Sequence, residues 1–310
     1  MMMLLMLLTN PALADGFGSA KLLNGAPADQ GFVDCLDSDN CRQAFLKFLS
    51  ESMLEQGFTM QGLSMSVSPL AHDRDGFTIG GSLATFPFGA PATNLSGKEE
   101  NTQFSPVFPR LNAGFITQTD SRRVAVGGSF LPPIPVGGAS AMEIGAEAGI
   151  VFAGPGESGF GVESEMTFIS ANAPITATEE QLADSDNFSN PDNLEQDRYE
   201  EVCGTEGCLD TFTMANVELR GGYGWVVGDF RPYARLGVTV VNEWLYVMYD
   251  GTTWGLFGIQ PAAHVGSGWQ PGENLHLGVG GSVALQQANQ SEESSVGVFY
   301  KVEGAASWTF

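Results

Sequence analysis

Basic residues are scarce in this sequence. Lysine and arginine total 13 against 36 aspartates and glutamates, which gives a formal net charge of −23 at pH 7. Nucleic-acid binding needs a basic surface that neutralises phosphates, so this composition excludes a general nucleic-acid binder. Long apolar runs are also missing. Nowhere do about 18 apolar residues follow one another, as a membrane-spanning helix requires.

Cysteine is scarce too, with four residues in two close pairs: Cys35 with Cys41, and Cys203 with Cys208. In an oxidising compartment these would form two disulfides, and four cysteines allow three connectivities. Their spacings match no zinc motif that the three histidines could complete. The acidic stretch 184–197 is rich in oxygen ligands but lacks the glycine of an EF-hand calcium loop. We therefore predict no metal and no cofactor.

The chain opens with an apolar run over residues 1–8, and Ala-Leu-Ala follows at 12–14. This small-x-small pattern is typical of a signal-peptidase site. We predict that residues 1–14 are a cleaved signal peptide and that the exported chain begins at Asp15. The alternative is a membrane anchor, for which the apolar run is far too short.

One helix is predicted, over residues 38–56. Ser38 or Asp39 would cap its N-terminus, and Gly57 would end it. Its apolar side chains fall on one face at helical spacing: Phe45, Phe48, Leu49 and Met53.

Beyond this helix the apolar period changes to two. In the stretch 142–152, Ile144 and Ile150 share one face, and Glu143 and Glu147 share the other. The runs span about 9 to 18 residues, which matches strands that cross a bilayer at a tilt. Further alternating runs lie near 76–86, 111–119, 122–130, 159–168, 212–227, 230–248, 254–267, 274–286 and 296–310, with a weaker one at 57–67.

The connections between these runs alternate in length. Short ones lie at 120–121, 153–158, 228–229 and 267–272, and long ones at 87–110, 131–139, 171–211 and 287–295. An outer-membrane barrel shows this alternation, because its periplasmic turns are short and its external loops are longer. Between Glu179 and Asp210 there are eleven acidic residues and one arginine, which indicates a solvated loop.

Aromatic residues cluster at both ends of the predicted strands, as in the two girdles of a membrane barrel. Near the short turns lie Phe152, Phe160, Trp225, Phe230, Trp269, Trp308 and Phe310. Near the long loops lie Phe130, Phe168, Phe212, Trp244, Trp254 and Phe257. Ordinary aromatic enrichment in strands is the alternative explanation.

The sequence finishes on a strand-like run, VEGAASWTF, with Trp308 and Phe310 on one face. This ending resembles the C-terminal signature of bacterial outer-membrane β-barrel proteins. The resemblance is close over about ten residues and looser over 76–310. It implies insertion into the outer membrane of a Gram-negative bacterium, contact with its lipid and lipopolysaccharide, and recognition of the last strand by the barrel-assembly machinery. We expect an all-β, antiparallel transmembrane barrel of 10–12 strands.

This topology divides the chain into three parts. Residues 15–56 would form a periplasmic segment with the one helix, 57–310 the barrel, and 171–211 an acidic external loop. Cys35 and Cys41 would then lie on the opposite side of the membrane from Cys203 and Cys208, so only the two local disulfides are compatible with it.

Charged side chains on the inward face are the candidate functional residues. They are Glu143, Glu147, Glu163, Glu165, Glu218, Arg220, Arg231, Arg235, His264, His276, Lys301 and Glu303. Opposing acidic and basic walls would create a transverse field across a water-filled pore, which resembles general porins. Alternatively, the charges pair and fill a closed barrel. At 10–12 strands either interior is possible.

The expected activity is passive diffusion of small solutes through a charged lumen. The alternative is a closed structural or surface-interaction barrel, and an outer-membrane hydrolase is a lesser one. No enzyme activity is predicted, because no motif places a serine and a carboxylate beside a histidine. The N-terminal helix could plug the lumen, as in long-chain fatty-acid channels, or rest beneath the periplasmic mouth.

Overall fold

The fold is a single antiparallel sheet of ten strands closed on itself. The computed structural model describes residues 68–85, 107–136, 139–173, 201–203, 208–248, 251, 253–288 and 295–310. The strands are β1 (Gly76–Thr85), β2 (Val107–Thr119), β3 (Arg122–Val136), β4 (Ala139–Val151), β5 (Gly159–Ala173), β6 (Asp210–Gly224), β7 (Phe230–Tyr246), β8 (Thr253–Trp269), β9 (Leu275–Ala288) and β10 (Ser295–Thr309).

Every strand pairs with its neighbours in the chain, and β1 pairs with β10 to close the barrel. The closing ladder runs from Thr78 opposite Thr309 to Thr85 opposite Val302. Each described strand therefore has a hydrogen-bonded neighbour on both sides, and the sheet has no edge strand. The predicted antiparallel barrel is confirmed, with the lower of the expected strand numbers. The weak run 57–67 and the helix 38–56 lie outside the described residues.

The two faces of the sheet differ in chemistry, because side chains alternate along each strand. The outward face is apolar and exposed, as contact with lipid requires. Its most exposed side chains include Leu111, Met166, Leu219, Leu236, Phe257, Ile259 and Val265. The inward face carries polar and charged side chains that are buried. Among the described residues, no helix is long and apolar enough to cross a membrane.

Two connections differ from the sequence prediction. The expected long loop 131–139 is wrong, because β3 continues to Val136 and β4 begins at Ala139. Pro132 and Pro133 sit at a register shift between Leu131 and Ile134, where the ladder needs no amide donor. The acidic connection is shorter than 171–211, since β5 ends at Ala173 and β6 begins at Asp210.

The aromatic pattern holds in part. Phe152, Phe160 and Phe230 point outward near the short turns, and Phe230 stacks on Trp269 with ring centroids 6.1 Å apart. Phe212 departs from the expectation because it is only 2% exposed and faces the barrel interior. It shares the inward face of β6 with the charged residues further along the strand.

One of the two expected disulfides lies in the described residues. Cys203 and Cys208 are bonded, with their Cα atoms 4.4 Å apart. Cys35 and Cys41 lie outside the described residues. The last strand ends with Trp308 and Phe310 pointing outward, and the amide of Phe310 donates to the carbonyl of Phe77.

The outward face generates the first prediction. Val238 is the middle residue of β7 and points outward, whereas Tyr246 points outward at its end. We expect Val238→Arg to lower the free energy of unfolding by about 2–4 kcal/mol and Tyr246→Arg by about 0–1 kcal/mol, because a charge is most costly at the bilayer centre. Urea titration of protein refolded into lipid vesicles measures both. Equal costs at the two depths would contradict a membrane-spanning barrel.

Candidate functional site: the barrel interior

All twelve charged residues expected to line the lumen point into the barrel. Eleven of them are buried: Glu143, Glu163, Glu165, Glu218, Arg220, Arg231, Arg235, His264, His276, Lys301 and Glu303. Glu147 is partly exposed. The strand alternation therefore directs these side chains inward, and their burial requires that the charges meet partners.

Arg220 on β6 lies at the centre of an acidic cluster. Its guanidinium is 3.0 Å from Glu165, 3.5 Å from Glu218 and 3.7 Å from Glu163. The register explains these contacts, because Glu163 and Glu165 on β5 lie opposite Arg220 and Glu218 on β6. The acidic and basic walls are thus on adjacent strands and pair directly, instead of facing each other across a wide lumen.

Two further ion pairs each bridge over one strand of the sheet. Arg235 on β7 pairs with Glu163 although 72 residues separate them in sequence. Arg110 on β2 pairs with Glu143 on β4, and Ser129 on the intervening β3 also donates to Glu143. Each contact therefore passes over one intervening strand, β6 in the first pair and β3 in the second, and links strands that are not hydrogen-bonded to each other.

His264 on β8 joins a hydroxyl and a carboxylate in series. Its Nδ1 is 2.7 Å from the Ser282 hydroxyl, and its Nε2 is 2.7 Å from a Glu218 oxygen. Serine, histidine and carboxylate are the components of a hydrolase triad. Ser282 is only 4% exposed, and Glu218 also contacts Arg220. We therefore assign these three residues to the network of hydrogen bonds and ion pairs inside the barrel, and not to a catalytic site.

Residues 68–75, which we call the interior segment, enter the barrel just before β1. The Ser68 hydroxyl donates to Glu163, deep in the interior. At the barrel end that carries the short turns, called here the turn end, Asp73 pairs with Arg231 at 2.7 Å and its carbonyl accepts from Gln118. Residues 68–72 are all buried. The chain therefore occupies the turn end of the lumen with its own backbone.

Glycines on the strands make room for this segment. A Cβ on Gly149 would lie 3.0 Å from Pro69, and one on Gly161 or Gly224 would lie 3.1 Å from Leu70. A Cβ on Gly268 would overlap the carbonyl oxygen of Ala71 and lie 2.6 Å from His276 Nε2. These four glycines, on β4, β5, β6 and β8, leave a depression in the barrel wall that residues 69–71 occupy. We call this depression the glycine bed.

Two histidines meet where the interior segment contacts β9. The rings of His72 and His276 have centroids 4.7 Å apart, and both side chains are fully buried. His276 Nε2 is 3.1 Å from the Ala71 carbonyl, and His72 Nε2 is 3.1 Å from the Thr309 hydroxyl on β10. Burial and the nearby positive charges, including Arg74 and Arg231, hold the pKa of His72 well below its usual range.

Little empty space remains around the Glu163 contact. A cavity of about 10 Å³, the room of about one water molecule, is lined by Ser68, Pro69, Ala125, Glu147, Ala148, Gly149, Glu163 and Arg220. No cluster of three or more histidine, cysteine or acidic side chains in the described part of the chain is arranged to hold a metal ion.

Sequence reasoning missed three parts of this site. Arg110 was missed because it lies in the predicted loop 87–110, whereas β2 begins at Val107. Ser282 was not associated with His264, since they meet only through the β8–β9 register. The interior segment has no period of two, and its mixture of apolar, histidine, acidic and basic residues resembles an ordinary linker.

Comparison with solved structures gives neighbours of low sequence identity. No family model and no curated protein matches the chain. Similar solved structures include the Pseudomonas putida toluene transporter TodX (TM-score 0.33, 11% identity, 80% of this chain and 94% of that one) and the translocator domain of the autotransporter NalP from Neisseria meningitidis (0.44, 11%, 84% and 98%). The Escherichia coli outer-membrane protease OmpT aligns at 0.37, with 9% identity, over 76% of this chain and 94% of OmpT. These proteins have different activities, and the comparison assigns none of them to this chain.

The paired interior generates a second prediction. Glu163→Gln leaves Arg235 buried without its carboxylate, so we expect the free energy of unfolding to fall by about 3–5 kcal/mol. Glu273→Gln, in an exposed turn, is the matched control and should change it little. Urea titration of the refolded barrels measures both. Equal, small effects of the two variants would contradict a paired interior.

Proposed function

We propose that this protein is an outer-membrane barrel that is closed at neutral pH and anchors its external loops at the bacterial surface. The observation that carries this proposal is the pairing and near-complete burial of the inward charges. An open aqueous pore would hydrate these side chains, whereas here they contact one another and the interior segment.

The position of the interior segment also supports a closed barrel. Its backbone fills the turn end, which we assign to the periplasm because short turns face that side in outer-membrane barrels. Polar contacts from β2, β5, β7, β9 and β10 hold it there. A solute entering from either side would have to displace this segment to pass.

A small-solute pore is the second candidate. Its support comes from the contacts of the interior segment, which rests on glycines and is held by polar contacts and by one small apolar cluster of Leu70, Ala71, Val151, Ala153 and Tyr233. Once the segment is displaced, the remaining lining is polar and charged. In this form the barrel would pass small hydrophilic solutes.

The proposal names three kinds of partner. Membrane lipid and lipopolysaccharide would contact the exposed apolar face of the strands. The barrel-assembly machinery would read the last strand, with Trp308 and Phe310 outward. Partners of the external loops would meet the acidic sequence between β5 and β6. We propose no catalytic activity.

Single-channel conductance in a planar bilayer tests the closed state. We expect the refolded chain from Asp15 to insert and remain silent at pH 7.5. Gly268→Ala should conduct, because its Cβ would overlap Ala71 and unseat the interior segment. Gly258→Ala on the same strand is the matched control and should stay silent, since its Cβ meets no described atom within 4 Å.

Two outcomes would contradict the proposal. Immediate conductance of the unsubstituted chain at pH 7.5 would identify an open porin. Equal behaviour of the Gly268→Ala and Gly258→Ala variants would show that the interior segment does not close the barrel. Heat-modifiable gel mobility, recorded for each variant, verifies that the barrels compared are folded.

A further inference from the structure

The hydrogen bonds of His72 fix its protonation state. Its Nδ1 lies 3.2 Å from the backbone N–H of Arg74, so Nδ1 must accept and carries no proton. Its Nε2 then carries the proton and donates to the Thr309 hydroxyl at 3.1 Å. The structure therefore holds His72 as the neutral imidazole, with both ring nitrogens already engaged.

A second proton would break this arrangement. Protonated Nδ1 becomes a donor that faces another donor, the Arg74 amide, and neither can accept from the other. His276 is different in this respect, because its Nδ1 faces the Ser307 hydroxyl at 3.4 Å, which can turn to accept. His72 is thus the member of the pair whose hydrogen bonding does not tolerate acid.

The charges around His72 act in the same direction. The charged groups that act on it are Arg74 on its own segment, Arg231 on β7 and His276 on β9, and its hydrogen-bond partner on β10 is the uncharged Thr309. Asp73, the adjacent acidic residue in the chain, is engaged by Arg231 at 2.7 Å. A positive charge on the buried His72 ring would meet repulsion from Arg74 and Arg231 with little compensation.

We propose that His72 is an acid-sensitive latch: its protonation releases the interior segment from the turn end and opens the barrel to small solutes. This inference rests on the proposed closed barrel. In the closed state residues 69–71 fill the glycine bed, and in the released state those glycines, on β4, β5, β6 and β8, line a wider polar passage.

The direction of the pH dependence follows from linkage. In the released state His72 is hydrated and titrates near its ordinary value of about 6.5. In the closed state the pKa of His72 is held well below its usual range, so only the released form gains the proton as the pH falls below about 6.5. The ratio of open to closed barrels should rise about tenfold per pH unit there, or about 30-fold at pH 5.0.

The test compares single-channel conductance of the refolded chain at pH 7.5 and pH 5.0. We expect silence at pH 7.5 and openings at pH 5.0 that reverse on return to pH 7.5. His72→Asn keeps an acceptor for the Arg74 amide but cannot be protonated in this range, so it should lose most of the 30-fold response. Glu273→Gln removes a titratable side chain from an exposed turn and should keep the response.

A disulfide lock shows whether the segment moves. The Cβ position of Gly224 lies 3.6 Å from Leu70 Cα, which suits a bond between cysteines at these two positions. The oxidised Leu70→Cys/Gly224→Cys protein should be silent at pH 5.0. Reduction should restore its openings.

Each failure has a separate meaning. Silence of the unsubstituted chain at both pH values would overturn the latch and leave the closed barrel standing. Full conductance at pH 7.5 would overturn the closed barrel itself. An acid response of His72→Asn equal to that of the unsubstituted chain would remove His72 from the mechanism. Openings of the oxidised lock at pH 5.0 would show that the segment is not what moves.

Discussion

A charge inside this barrel is stable only when an opposite charge reaches it, and that requirement organises the interior. Arg220 lies among three glutamates, and Arg235 reaches across to Glu163. Pairing of this kind offsets the desolvation of each ion but leaves either partner costly if the other is lost. The strands can therefore carry a strongly charged inward face whose side chains are buried.

The interior segment extends the same network to the turn end. Ser68 attaches to Glu163, which already pairs with Arg235, and Asp73 attaches to Arg231. Glycines on the surrounding strands supply the space that the segment occupies. In the proposed closed state, closure and stability would therefore depend on the same residues, and movement of the segment would expose carboxylates and guanidinium groups that are now buried.

Most of the sheet could be predicted from the sequence, because a two-residue period directly records which side chains face lipid. Strand β7 is an example, with buried and exposed residues alternating over nearly its full length. The ends of strands were harder to predict. Pro132 and Pro133 indicate a loop by composition, yet a register shift lets β3 pass through them. Asp210 looked like part of a solvated loop but is buried and accepts from the Met248 amide at 2.9 Å.

The state of the interior could not be predicted, because alternation gives the face of a residue and not its partner. Glu163 and Arg235 are 72 residues apart, and no local pattern relates them. The interior segment is a stronger case, since residues 68–75 lack any period and derive their position from glycines far along the chain. Whether inward charges contact water or one another depends on distances between residues that are far apart in the sequence.

The most direct test of whether the interior excludes water is the rate at which a water-soluble thiol reagent modifies a cysteine placed in the middle of the interior. Ser282→Cys provides this site, Ser121→Cys provides an exposed site at a turn, and the unsubstituted chain gives the background. A filled interior predicts that the buried cysteine reacts much more slowly than the exposed one, because a buried group reacts only when the structure opens locally. Similar rates at the two positions would mean that water fills the barrel, and would contradict the closed interior.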